Sequence, residues 1–176
     1  MNLLREARKL GRYLLGKKSE LEDLDVKDVV MAKAILDIHR KRIGKAVVSV
    51  PLHHLRQIHR LDRENAIAAT RQRIETLETH KDELLAAGTL TCEALASVLP
   101  SVSWIKAVRK GPRELLAFEG NGRIAAMQAV FSPEDRMTVE VEEYRFRNPA
   151  AIIRRLDRVR WMNGLLDNPV STSWQS

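Results

Sequence analysis

The chain has 176 residues, of which 44% are hydrophobic and 30% are charged, a composition that excludes wholesale disorder and leaves room for one domain with an appended helical segment. The formal net charge of +7 favours anionic partners such as a nucleotide, nucleic acid or anionic lipid, although equally basic domains exist that bind none of these. Cys92 is the only cysteine and no apolar run reaches the ~18 residues of a membrane span, so we expect a cytoplasmic protein without an internal disulfide.

The first predicted element is a basic amphipathic helix that ends near Gly16. Leucines recur at helical spacing on one side, and arginines and lysines fill the other. Such a helix either docks on its own domain or binds an anionic membrane surface or a protein partner. An acidic patch over residues 20–28 follows it.

A second helix is predicted over residues 25–42, with acids at its start and bases at its end, as the helix dipole favours. Its apolar residues, Val26 and Val29 among them, share one predicted face. The β-branched run over 46–50 then predicts a strand, which ends at Pro51 because proline is not tolerated inside a central strand.

The next segment predicts a long polar helix over residues 62–87, closed by Gly88. A short helix follows, with Thr91 as its N-cap. The hydrophobic pattern then changes from helical to strand-like. The runs 103–110 and 113–119 flank a Gly-Pro turn and predict a β-hairpin.

A helix after the hairpin, an alternating strand over 137–146 and a last helix from Asn148 to Gly164 complete the pattern. A helical N-terminal half followed by strand, strand, helix, strand and helix predicts an α+β (mixed α/β) fold. We expect three parts, which are a helical extension over 1–44, a domain over 45–166 and an irregular tail over 167–176.

The turn that leads out of the hairpin is Glu119-Gly120-Asn121-Gly122-Arg123, which we call the EGNGR box. The first amides of the following helix lack backbone partners and carry the positive end of its dipole, so they can hold an anion. The glycines allow a close backbone approach, and Arg123 offers a bidentate donor to phosphate. Glu119 is suited to accept a ribose hydroxyl, help hold a metal or orient an attacking hydroxyl. The alternative interpretation is an ordinary Asn-Gly turn with Arg123 at the surface.

The segment from about Val98 to Phe146, which contains WIKAVRK, ELLAFEGNGRIAAMQAVF and TVEVEEYRF in that order, resembles the core of the ParB/sulfiredoxin-like superfamily. In that family a strand runs into a glycine-containing box that ends in Arg and begins a helix, and the box holds nucleotide phosphates. The earlier VVSVPLHHL is similar to the strand and turn that open the fold. The resemblance therefore implies a ParB/sulfiredoxin-like core with an N-terminal helical extension.

The resemblance also implies a ligand, a nucleotide of the CTP or ATP class with Mg²⁺ as an accompanying ion. By position, Arg123 corresponds to the family's phosphate ligand, and Gly120 corresponds to the box glycine. Glu119 corresponds to the acidic residue of the kinase-type box, which makes it the catalytic candidate. Asn121 and Gly122 complete the cofactor-binding set.

Two residues of the preceding strand, Lys106 and Arg109, are further candidates for phosphate contact. Both are basic and both belong to the first strand of the predicted hairpin. They are therefore the cofactor-binding candidates outside the EGNGR box.

Differences between this sequence and the family pattern argue against some of the reactions that family members catalyse. Asn121 stands where sulfiredoxins carry their nucleophilic cysteine, which argues against sulfinic acid reduction, and Gly122 replaces a His or Arg side chain. Few residues follow Phe146, which argues against the helix-turn-helix domain that ParB proteins carry. The box also resembles that of Fic AMP-transferring enzymes, but Leu116 and Ala117 stand where those enzymes need a His.

Other residue types that carry chemistry point to structural roles. His53, His54 and His59 lie close together without the spacing of a metal site, so no metal site is predicted. We expect Glu140 and Glu142 to share a solvated strand face.

Aromatic and basic residues near the C-terminus give weaker signals. We expect Trp104 and Trp161 to pack in the core, and contact of the last helix's arginines with nucleic acid is not favoured.

The sequence thus predicts a phosphate- or nucleotide-binding protein, with phosphoryl transfer or nucleotide hydrolysis as the reaction if it is an enzyme. The alternative is a non-catalytic adaptor that binds a partner or an anionic membrane surface through its basic N-terminal helix.

Overall fold

A computed structural model describes residues 26–99 and 103–166. Within these ranges the helices are Val26–Lys41 (α1), Glu64–Thr79 (α2), Lys81–Ala87 (α3), Cys92–Val98 (α4), Asn121–Val130 (α5) and Pro149–Met162 (α6). The strands are Arg42–Pro51 (β1), Leu55–Gln57 (β2), Thr89–Leu90 (β3), Ile105–Gly111 (β4), Glu114–Glu119 (β5) and Thr138–Phe146 (β6). The predicted basic helix and the predicted C-terminal tail lie outside the described residues.

The strands form one mixed sheet in the order β1-β6-β4-β5-β2, with β3 beside β6. β1 pairs antiparallel with β6 and β4 pairs antiparallel with β5, whereas the β4–β6, β2–β5 and β3–β6 pairs are parallel. The predicted α+β class is confirmed, as is the hairpin formed by β4 and β5.

Strand β5 explains why helices cover both faces of the sheet. Its four central residues are all apolar and buried, with Leu115 and Ala117 on one face and Leu116 and Phe118 on the other. A strand buried on both sides needs a helical layer above and below. Helices α2 to α5 pack on the first face, and α1 and α6 pack on the second.

The end of the predicted 62–87 helix is confirmed, because Gly88 adopts a left-handed conformation with φ 69° and closes α3. The prediction of one continuous helix is wrong, since the chain breaks at His80 between α2 and α3. Asp82 and Glu83 lie in the first turn of α3, where negative charge favours a new helix N-terminus.

Helix α1 is confirmed, but its predicted apolar face is only partly covered. Ala34 and Ile38 are buried against α6, whereas Val26 and Val29 near its start are exposed. The prediction that Trp161 is in the core is also wrong, because two thirds of that side chain is exposed (66%). Helical spacing shows which residues share a face, but it does not show where the neighbouring element ends.

Glu142 corrects the prediction of a solvated strand face on β6. This carboxylate is buried, and its Oε1 lies 2.5 Å from Lys45 Nζ of β1. Burial alone would raise the pKa of Glu142, but the hydrogen bond from Lys45 and nearby positive charge hold that pKa below its usual range. The register that pairs β1 with β6 creates this contact.

None of the helices within the described ranges combines the length and apolar character that crossing a bilayer requires.

The cap at Thr91 gives a test of the local structure. Thr91 Oγ1 accepts a hydrogen bond from the Ala94 amide at 3.0 Å, as the sequence predicts. We expect Thr91→Ala to lower the free energy of unfolding by about 1 kcal/mol, because an orphan helix amide loses its acceptor. Thr91→Ser, which keeps the hydroxyl, serves as the control in urea denaturation. Equal losses in the two variants would contradict a capping role.

Candidate functional site

The passage from β5 into α5 depends on Gly120. This residue has φ 94° and serves as the N-cap of α5. A Cβ at this position would lie 2.9 Å from Ile105 Cγ1 of the neighbouring strand. Glycine is therefore required both by the backbone conformation and by the close approach of β4. The turn starts α5 directly at the end of the sheet.

A pocket of about 450 Å³ opens at this N-terminus of α5. It lies between α2, the end of β5 and the segment just before β4, and it contains the whole EGNGR box. Its polar and charged lining residues outside the box are His59, Thr70, Arg73 and Ser103.

Arg123 lines the pocket but is largely buried, with 8% of its surface exposed. Its guanidinium donates to the backbone carbonyl and, at 3.2 Å, to the side-chain Oγ of Ser103. Burial lowers the pKa of Arg123, Glu119 opposes that shift, and the positive charge of Arg73 adds to it. Arg123 thus links the segment just before β4 to α5 by hydrogen bonds. A guanidinium has five N–H donors, so further donors remain for a ligand.

Asn121 also lines the pocket, but its side chain makes an internal contact. Its Oδ1 accepts a hydrogen bond from the Ile58 amide at 2.9 Å, and the residue is buried. Ile58 follows β2, so this bond ties the second edge of the sheet to the start of α5. The Asn side chain satisfies a buried amide that otherwise has no partner among the described residues.

Helix α2 approaches α5 closely at Gly122. A Cβ at this position would lie 3.1 Å from Thr70 Oγ1 and 3.4 Å from Arg73 Nη1. A Cβ at this position would require Thr70 Oγ1 to shift slightly and would lie in contact with the Arg73 guanidinium. The glycine thus allows the Arg73 guanidinium to lie beside the box.

Glu119 and Lys106 form a pair at the edge of the pocket. Glu119 Oε2 lies 2.6 Å from Lys106 Nζ, because β4 and β5 place these two residues opposite each other. Glu119 lines the pocket and about two fifths of its side chain is exposed. Lys106 therefore reaches the EGNGR box through Glu119.

Arg109, the other candidate on β4, lies elsewhere. It is opposite Leu115, further along the hairpin, and it is absent from the described lining of the pocket. Its guanidinium makes a two-point contact with Glu143, with Nη2 2.6 Å from Oε2. The hydrogen bond to Glu143 raises the pKa of Arg109. The structure therefore brings Lys106, but not Arg109, together with the box.

The sequence does not predict that His59, Thr70 and Arg73 line the pocket, because these residues belong to segments far from the box. Thr70 and Arg73 lie one turn apart on α2 and so share a face. The signal available for this face is the small residues Ala66 and Ala69, which allow another helix to approach closely. Nothing in the sequence distinguishes Arg73 from the other basic residues of that helix.

A metal site built from protein ligands alone does not appear in the described part of the chain. No group of three or more His, Cys, Asp or Glu side chains is placed there to hold an ion. The carboxylate in the pocket is that of Glu119.

Comparison with protein-family models, with curated proteins and with solved structures gave no match.

The internal contact of Asn121 can be tested by substitution. We expect Asn121→Ala to lower the free energy of unfolding by about 1–3 kcal/mol, because the buried Ile58 amide loses its acceptor. Native-state hydrogen exchange should show faster exchange of that amide. Asn148→Ala, which removes the cap of α6, should leave the exchange of Ile58 relative to its neighbours unchanged. Unaltered Ile58 exchange in Asn121→Ala would contradict this role.

Proposed function

We propose that the protein binds a phosphate-bearing ligand, a nucleotide of the CTP or ATP class, in the pocket between α2 and the N-terminus of α5. One observation carries the proposal. Two guanidinium groups, Arg73 and Arg123, line the same pocket, and its carboxylate, Glu119, is already paired with Lys106. A phosphate between the two guanidiniums relieves their repulsion and accepts their hydrogen bonds.

The start of α5 supports the same ligand chemistry. The amides of Arg123 and Ile124 donate to the Gly120 carbonyl, each at 3.0 Å. Within the described residues, the amides of Asn121 and Gly122 donate to no backbone carbonyl. Unpaired amides at the positive end of a helix dipole favour a phosphate oxygen.

The size and lining of the pocket favour a nucleotide over a free phosphate. Its volume of about 450 Å³ leaves room beside a phosphate group for a sugar and base. Leu61 and Phe118 give it an apolar wall, and His59 adds a polar ring. Apolar walls with a few polar groups are typical of cofactor sites.

The resemblance to the ParB/sulfiredoxin-like core agrees with this proposal in one further respect. Gly122 stands where that family has a His or Arg side chain. Arg73 Nη1 lies 3.4 Å from the position that a Cβ on residue 122 would occupy. In our proposal Arg73 supplies from α2 the positive charge that the box itself lacks.

The proposal extends to phosphoryl transfer or nucleotide hydrolysis, with Glu119 as the catalytic carboxylate. A carboxylate at the pocket edge suits the orientation of an attacking hydroxyl or water. One carboxylate together with ligand phosphates is also a common set of ligands for Mg²⁺. Lys106 donates a hydrogen bond to Oε2 of Glu119 at 2.6 Å and so orients this carboxylate at the pocket edge.

Binding can be tested by thermal unfolding with CTP, ATP, ADP and GTP, each with and without Mg²⁺. At a nucleotide concentration near 100 times Kd, we expect the Tm to rise by roughly 5–10 °C. Arg73→Gln should weaken binding about tenfold or more, because a charge-assisted hydrogen bond is lost. Arg73 is preferred to Arg123 as the test position, since Arg123 also fastens Ser103.

The matched control is Arg154→Gln, which removes the same charge from an exposed position on α6. It should leave the nucleotide affinity unchanged. No Tm shift with any of the four nucleotides, or equal affinities in the two variants, would overturn the proposal.

Catalysis is tested separately through Glu119→Gln, which keeps the shape of the side chain and removes its charge. We expect phosphate release to fall at least a hundredfold while the nucleotide Kd changes only a few-fold, since the carboxylate acts mainly in the transition state. Single-turnover phosphate release and equilibrium titration give the two values. Phosphate release at the wild-type rate in Glu119→Gln would refute the catalytic role and leave the binding proposal intact.

A further inference from the structure

A second cationic pocket lies at the opposite end of the β4–β5 hairpin from the EGNGR box. It has a volume of about 500 Å³ and is built around the turn at residues 111–113. In the hairpin register Gly111 is opposite Glu114, whereas Lys106 is opposite Glu119. The strand rise therefore separates the two pockets by roughly 16 Å along β4.

Positive charge exceeds negative charge in this second pocket. Four basic side chains line it, from β2, the hairpin and α6, and they are Arg56, Lys110, Arg113 and Arg160. Two carboxylates, Glu114 and Asp157, lie within ion-pair distance of Lys110 and Arg160. Both carboxylates are shared between the same two cations.

The other two arginines add charge that no described carboxylate pairs with directly. Arg56 donates to the backbone carbonyls of His53 and Leu55, at 2.8 and 3.4 Å. Arg113, in the turn, is exposed and has no hydrogen bond or ion pair with another described residue. Burial lowers the pKa of His54, and the positive charges of Arg113, Arg56 and Arg109 lower it further.

Arg160 shows that the pocket is built into the fold. Its side chain is only 5% exposed, and Nη2 donates to the Leu165 carbonyl at 3.1 Å. Its Nη1 reaches Glu114 at 3.4 Å, whereas Nε is buried without a hydrogen-bond partner among the described residues. A buried guanidinium with an unused donor is costly unless an acceptor is supplied.

We propose that this pocket is a second anion site, for a phosphate monoester or pyrophosphate group of a small molecule. Four cations against two carboxylates leave two positive charges, which a phosphate dianion balances. Arginine side chains match phosphate oxygens with paired N–H donors. A nucleic acid phosphodiester carries one negative charge and is bound along a groove, so it fits this compact pocket less well.

Glycine amide resonances distinguish the two pockets in the full-length protein. Gly111 lines the second pocket, whereas Gly120 and Gly122 line the first. In a titration of ¹⁵N-labelled protein with inorganic pyrophosphate, we expect a saturable shift of the Gly111 amide. The Gly120 and Gly122 amides report the first pocket, so the two proposals can fail independently.

Arg113→Gln should weaken the Gly111 response about tenfold or more and leave the responses of Gly120 and Gly122 unchanged. Arg56→Gln should weaken the Gly111 response likewise, and the charge-matched Arg154→Gln should not affect it. No saturable Gly111 shift, or equal affinities in Arg113→Gln and Arg154→Gln, would overturn the second site. Tighter binding of a short single-stranded oligonucleotide than of pyrophosphate at Gly111 would overturn the small-molecule assignment.

Discussion

The close approach of three elements around the start of α5 is the constraint on which the rest of the site depends. Strand β5 is buried on both faces. At the end of β5 the chain leaves the sheet and turns into α5 through Gly120, which has a left-handed conformation. At the next glycine, Gly122, α2 comes so near that a Cβ would contact Thr70 and Arg73. These two glycines place the amides of a new helix and a guanidinium from another helix in one pocket. A side chain at position 120 would be strained by the positive φ and would contact Ile105, and one at position 122 would require Thr70 Oγ1 to shift.

The charge pairs between neighbouring strands of the sheet depend on strand register. Neighbouring strands pair Lys106 with Glu119, Arg109 with Glu143, and Lys45 with Glu142. In each pair the two opposite charges neutralise each other. The alternation of residues along one strand does not show which residue on the next strand will be the partner. Arginines without a described ion pair line the pockets at the two ends of the β4–β5 hairpin, Arg73 and Arg123 in the first and Arg56 and Arg113 in the second.

Several residues of the EGNGR box make internal hydrogen bonds in addition to lining the pocket. Asn121 satisfies the buried amide of Ile58, and Arg123 fastens Ser103. These internal hydrogen bonds hold the backbone of the turn in place. In our proposal Arg73 on α2 takes a share of the phosphate contact. Because residue 122 is a glycine, the Arg73 guanidinium of the neighbouring helix can lie beside the box.

The amino-acid sequence by itself determined the type and order of most elements, because turn residues and hydrophobic periodicity are local properties. The β4–β5 hairpin, the Thr91 cap and the strand-to-helix box could all be predicted. Only the tertiary structure decided which side chains meet, since Arg73 reaches the box across many residues of chain and Lys106 reaches it through strand register. It likewise decided that Glu142 is buried and Trp161 is exposed. Periodicity identifies a shared face, whereas burial and charge pairing depend on the element that packs against it.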